Sequence, residues 1–196
     1  MTVATLAALF GFAFVTTVTP GPNNLMLMAS GANFGFRRTV PHMLGIAGGV
    51  SLMALLVGLG LMALFEAVPA LNGVLKVVSA LYLLWLTYRI ATAAPIEARG
   101  AEARPMTLLQ AAVFQWVNPK AWAMCLSAVT IYAPDRSLLS VAVVAGAFAL
   151  VALPAISIWA WLGTVIRQWL SSPGRLRIFN ISMAALLVGS MYPLFI

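Results

Sequence analysis

The sequence predicts an all-α, polytopic membrane protein, and three observations carry that prediction. Of its 196 residues, 63% are hydrophobic and 8% charged. Together with a mean hydropathy of +1.02, these values lie well outside the range of soluble domains. The apolar residues fall into six runs, and at roughly 20 residues per span the chain has room for about six helices with short loops. The first and fourth runs are interrupted near their centres by Thr19-Pro20-Gly21-Pro22-Asn23 and Asn118-Pro119-Lys120. Proline removes a backbone donor and cannot continue a helix, and broken backbone within a bilayer is tolerated only where it is buried in protein or lines a cavity.

The elements follow in order. Span one covers about 3–33 and is split by the Pro-Gly-Pro; Arg37 and Arg38 lie in the loop after it. The start of the chain is apolar from Val3 without a preceding basic stretch, so it reads as a retained span rather than a leader. Span two covers about 43–65, and Glu66, Pro69 and Asn72 mark a tight turn. Span three covers about 74–90, with Lys76 near its start. The segment 91–105 is the most polar of the chain, with Glu97, Arg99, Glu102 and Arg104. Span four covers about 106–132, and Pro134, Asp135 and Arg136 make the next turn. Span five covers about 138–166 with a proline kink at Pro154. Ser171, Ser172, Pro173 and Gly174 end it, and span six covers about 176–196.

Arginine placement orients these spans. Arg37, Arg38, Arg89, Arg99, Arg104, Arg167, Arg175 and Arg177 fall on one side, whereas the other holds Arg136, with Lys76 just inside span three. Positive loops stay in the cytoplasm, so both termini are expected outside it. The net charge of +7 thus reports topology rather than a nucleic-acid partner. A three-helix unit starting outside is then followed by one starting inside, the arrangement of an inverted repeat. The halves are about 1–93 and 106–196, joined by a cytoplasmic linker at about 94–105 within one membrane transport domain. A shift of 99 residues carries Pro20 onto Pro119, and with it Leu9 onto Leu108, Ala13 onto Ala112, Val18 onto Val117, Leu27 onto Leu126 and Ala29 onto Ala128. Paired interrupted spans in corresponding positions are the sequence mark of a transporter binding site.

Candidate site residues cluster at the two breaks. Lys120 places a charge mid-span, at a cost of roughly 2.5–3.5 kcal/mol even on lenient insertion scales. It follows Pro119, a favoured first helical residue, so an ammonium and a helix N-terminus together offer a carboxylate site. The competing reading is that Lys120 snorkels or pairs with a carbonyl. Asn23, Asn24 and Asn118 can donate and accept, either holding a solute's ammonium or capping freed backbone. Gly21 supplies a conformation or close approach closed to other residues. Thr16, Thr17 and Thr19 are expected to bond back to carbonyls of their own helix. Gly45 and Gly49, with Gly48 alongside, have the spacing for close helix packing. Lys76, Tyr82 and Trp85 face a cavity or, for Lys76, the interface; Tyr88, Tyr132 and Trp169 read as interfacial anchors. His42 sits at a loop–helix junction and is expected to be solvated, and Cys125 is apolar filler.

Other chemistry is poorly provided for. One histidine, one cysteine and no intramembrane carboxylate leave no metal site, and no Ser-His-Asp set or phosphate-binding glycine loop occurs. The reading is therefore not an enzyme and requires no cofactor.

The whole chain resembles the LysE/RhtB-type amino-acid exporters. The resemblance rests on Thr19-Pro20-Gly21-Pro22-Asn23, Gly45-Ile46-Ala47-Gly48-Gly49, Leu81-Tyr82-Leu83-Leu84-Trp85-Leu86 and Val117-Asn118-Pro119-Lys120-Ala121. It implies an inner-membrane exporter driven by the proton gradient, with Pro20, Gly21, Pro22, Asn23, Asn118, Pro119 and Lys120 in the motif roles. Lysine-exporting members of that family carry an aspartate at the position matching Val50, so a neutral or zwitterionic amino acid is expected here rather than a cation. The expected site is Pro20, Gly21, Pro22, Asn23, Asn24, Asn118, Pro119 and Lys120, worked by alternating access. Its expected partners are a small-molecule amino acid, the lipid bilayer and further copies of the chain in a homo-oligomer. A non-transporting membrane scaffold and a heavy-metal ion exporter are the alternatives.

Overall fold

Helix α1 (Val3–Val18) opens on Thr2, whose hydroxyl accepts from Thr5 N. It stops at Thr19, which precedes Pro20 and is pushed to an extended ψ of 143°. Gly21, before Pro22, is extended for the same reason, and α2 (Pro22–Phe34) restarts with proline in its first turn. The axis bends by 58° across this break. In the computed structural model, residues 1–93 and 104–191 are described, and every regular element among them is helical. The expected linker at 94–105 falls almost wholly outside these residues, as does the end of span six.

Gly35, at φ 81°, turns the chain directly into α3 (Phe36–Leu56). The second span therefore begins near residue 36 rather than 43, because Arg37, Arg38 and Pro41 are accommodated in its first turns. A π-helical stretch (Val57–Leu61), with Gly60 at φ 106°, leads into α4 (Met62–Ala67). Next come α5 (Ala70–Ala91) and α6 (Leu108–Phe114), the latter opened by a reciprocal capping box between Thr107 and Gln110. One 3-10 turn (Gln115–Val117) and an extended Asn118 separate α6 from α7 (Pro119–Tyr132). The last long elements are α8 (Leu138–Ile166), which runs uninterrupted through Pro154, and α9 (Pro173–Gly189).

By length and apolarity, Phe36–Ala67, Ala70–Ala91 and Leu138–Ile166 can each cross a membrane, and the bent pair α1–α2 makes a fourth such unit. Helix α6 with its 3-10 turn, α7 and α9 are each shorter than 18 residues. Helix α8 packs against α1, α2 and α3, while α3 packs against α6 and α7, and α5 against α9. Each interrupted pair thus lies on the long helix of the other half of the chain. Close approach is set by small residues: a Cβ on Gly31 would lie 2.1 Å from Ala160 O, and one on Gly45 2.2 Å from Leu108 O. The main core joins α1–α3 to α6–α8 through Leu9, Ile46, Met53, Cys125, Phe148 and Ile156. By contrast, α5 buries Ser79, Leu83 and Leu86 and leaves Val74, Val77, Leu81 and Leu84 exposed, a pattern suited to lipid rather than water.

One expectation is corrected here. His42 lies inside α3 at 1% exposure, not solvated at a junction, because the helix starts earlier than the loop arginines implied. Neither of its ring nitrogens has a hydrogen-bond partner among the described residues.

Candidate functional site

The break after α1 frees backbone carbonyls, and their partners define the site. Asn24 Nδ2 donates to Thr17 O at 2.8 Å and to Thr19 O at 2.7 Å. Trp159 Nε1, from α8, donates to Val18 O at 2.8 Å. Lys120 Nζ crosses from the other break to donate to Thr19 O and approaches Pro20 O at 3.4 Å. The two interruptions therefore meet, with the ammonium of one seated on the carbonyl end of the other. Carbonyl dipoles at a helix C-terminus favour a cation, which offsets part of the cost of holding Lys120 within the span.

Around this contact the expected residues divide by role. Asn118 caps α7, its Oδ1 accepting from Lys120 N at 3.1 Å, and Asn24 caps α1; both asparagines thus satisfy broken backbone. Asn23 pairs reciprocally with Gln115: Asn23 Nδ2 donates to Gln115 Oε1 at 2.8 Å, and Gln115 Nε2 to Asn23 Oδ1 at 3.1 Å. Gly21 is needed for room, since its φ of 176° suits any residue, whereas an added Cβ would sit 2.7 Å from Lys120 Cδ. Pro20 and Pro22 make the break, and Pro20 also contributes its carbonyl.

A small cavity of about 20 Å³ lies against these groups, lined in part by Thr17, Gly21, Asn23, Asn24, Asn118 and Lys120. That space admits a water and not an amino acid. Val50, Met124 and Ile156 complete an apolar side, and among the described residues Lys120 is the one charged group that lines the cavity. Pro119 instead faces a second cavity of about 220 Å³, on which Lys76 and Trp122 also lie.

Two residues of the site, Gln115 and Trp159, escape the sequence reading, and a third, Thr17, departs from it. Gln115 is fully buried, and its signal is a polar residue within an apolar run, five positions before Lys120. Thr16 and Thr19 do bond back, to Phe12 O and Val15 O. Thr17 does not: its hydroxyl is buried, borders the cavity and has no hydrogen-bond partner among the described residues.

Interrupted helices meeting at a polar contact inside a helical membrane bundle define the translocator class. The chain belongs to the LysE type translocator family, whose model matches residues 14–191. It is 30% identical over 190 residues to the "Cysteine/O-acetylserine efflux protein" of Escherichia coli (strain K12), covering 96% of each chain. The protein of the same name from Shigella sonnei (strain Ss046) matches with the same identity and coverage. No solved structure matches.

Proposed function

We propose that this protein exports a small zwitterionic amino acid, of the cysteine and O-acetylserine class, across the inner membrane by alternating access. The observation that carries the reading is the Lys120 ammonium seated on the Thr19 and Pro20 carbonyls, which joins the two breaks. In the proposed cycle the solute's carboxylate draws Lys120 off these carbonyls, and the solute's own ammonium takes its place on them. The exchange leaves one cation on the acceptors throughout, so no charge is stranded in low dielectric. Thr17 and Asn23 flank the position and provide further hydrogen bonds to the solute.

Six spans in two inverted three-helix halves, with both termini outside the cytoplasm, complete the proposal. The cross-packing of each interrupted pair on the other half's long helix supports it, as does the arginine bias. Val50 lines the small cavity and gives a second positive charge nothing to pair with, which favours a solute without net charge. The cycle is proton-linked, the proton travelling on Lys120, the solute or water.

The test is counterflow of labelled O-acetylserine, cysteine, serine and lysine in proteoliposomes holding the full chain. Flux of the zwitterions, little flux of lysine, and a loss of about tenfold or more in Lys120→Gln are expected, given that hydrogen bonds to charged groups contribute about 1.5–3 kcal/mol. Unchanged zwitterion flux in Lys120→Ala would remove Lys120 from the site.

A further inference from the structure

We infer that the 220 Å³ cavity between α4, α5 and α7 is a second solute subsite, in which Lys76 takes the carboxylate of a zwitterionic amino acid. The inference rests on the transport reading for its role but on separate residues for its chemistry. Asn72, Lys76 and Ser79 line this cavity at spacings of four and three, which places them on one face of α5. They form a polar stripe on a helix that also exposes Val74, Val77, Val78 and Leu81. Ser79 is buried at the inner end of the stripe, whereas Asn72 and Lys76 are themselves exposed, at the open side of the cavity. Lys76 lies six residues into α5, about 9 Å along the helix from its start, deep enough to reach solute held beside the bundle and shallow enough to keep its charge hydrated.

The opposite wall is aromatic and fixed. Trp122 Nε1 donates to Trp116 O at 2.9 Å, and the Trp122 ring meets those of Phe65 and Trp116 edge-on, with centroids 5.2 and 5.9 Å away. An indole locked in this way offers its ring to an ammonium, while Asn72 can accept from the same group. The cavity thus presents a cation for the carboxylate, and an aromatic wall and an amide for the ammonium, in a volume that accommodates a small amino acid.

Its position gives it a role. From α7, Pro119, Trp122 and Leu126 face this cavity, and Lys120, Ala121 and Met124 face the small one. At 3.6 residues per turn the two sets point about 180° apart, so α7 is a single-helix partition between two cavities. The Asn118-Pro119 break that starts α7 is the joint on which the partition can turn. Solute leaving Lys120 around this helix is received by Lys76, beside the turn between α4 and α5.

Two measurements test this on the full chain in proteoliposomes. In O-acetylserine counterflow, Lys76→Gln is expected to raise the half-saturating concentration by about five- to tenfold, the scale of a partly solvated charged hydrogen bond, and Lys76→Arg to stay within about twofold of wild type. Independently of flux, Leu75→Cys supplies a thiol on the cavity wall in a chain whose native Cys125 is fully buried. Its labelling by an anionic methanethiosulfonate should be slowed by O-acetylserine, and that protection should be lost on adding Lys76→Gln. Half-saturation unchanged in Lys76→Gln, or no protection of Leu75→Cys, overturns the subsite. Protection of the cysteine variant alongside no counterflow by the wild-type chain sustains the subsite and refutes the export reading instead.

Discussion

The Asn23–Gln115 pair is the sharpest quantitative claim the geometry makes. The two residues stand 92 apart in sequence, one opening α2 and the other just before the second break, and they exchange two hydrogen bonds. If this pair holds the interrupted helices together, Asn23→Ala and Gln115→Ala must be non-additive. Either substitution alone leaves an amide of the partner unsatisfied, at about 1–3 kcal/mol; Gln115 retains one bond, to Ala111 O at 2.8 Å. Hydrogen bonds between membrane helices couple by about 0.6 kcal/mol on average and about 1.7 at most. Two reciprocal bonds therefore predict a coupling of about 1–3 kcal/mol. For a chain of this size, each kcal/mol moves the melting temperature by about 2–4 °C, so the double variant should melt about 2–12 °C higher than the sum of the single losses implies. Tryptophan fluorescence during heating, in a detergent–lipid mixture, reads this directly. Single losses that add within about 1 °C would show that the pair is incidental and that the breaks are held together by other contacts.

Two further outcomes follow from local geometry. Gly45→Ala puts a Cβ 2.2 Å from the Leu108 carbonyl, which forces α3 and α6 apart at a cost of about 1–3 kcal/mol or more; Gly48→Ala meets nothing within 4 Å and should gain about 0.5–1 kcal/mol from helix propensity, so melting temperatures that fall together would refute the packing account. In the loop before α8, hydrogen bonds from Ser140 (2.5 Å) and Ser137 hold the Asp135 carboxyl below its ordinary value of 3.8; a depressed folded-state pKa stabilises above the unfolded value and is lost as pH falls through the folded one, so the stability difference between wild type and Ser140→Ala should be present at pH 6 and shrink below about pH 4.

Much of this arrangement is legible in the chain because proline acts locally. Pro20, Pro22 and Pro119 each fix their own backbone and that of the residue before them, and Thr19, Gly21 and Asn118 are all extended as that rule requires. The two breaks are legible as prolines 99 residues apart within apolar runs, and Lys120 as a charge inside such a run. Distant partners are not legible. Asn24 takes the capping role, one of the two that the sequence allows it, but the Trp159 bond to Val18 O is not foreseeable, since a pairing between residues 141 apart leaves no periodic trace. Thr17 differs from Thr16 and Thr19 only by its direction around α1, which no propensity encodes. The start of α3 is hidden because Arg37 and Arg38 read as loop, yet a long cationic side chain can remain in a helix end and carry its head to water.

The occupied carbonyls also constrain how any ammonium can enter. Three donors already serve the end of α1: the Asn24 amide, the Trp159 indole and the Lys120 ammonium. Displacing Asn24 would strand Thr17 O, displacing Trp159 would loosen α8 from the break, and Thr19 O keeps Asn24 when Lys120 leaves. Lys120 is the one donor on a flexible four-carbon stem, and its carbonyl partners are exposed rather than buried. Of the three it is the one whose departure leaves the least unsatisfied. A solute that brings its own carboxylate gives Lys120 somewhere to go, and a solute that lacks one does not. On this reasoning, selection for an amino acid over a simple amine comes from the lysine that must be moved. Counterflow of O-acetylserine should therefore survive competition by excess ethylamine, with inhibition by the amine at equal concentration refuting the exchange.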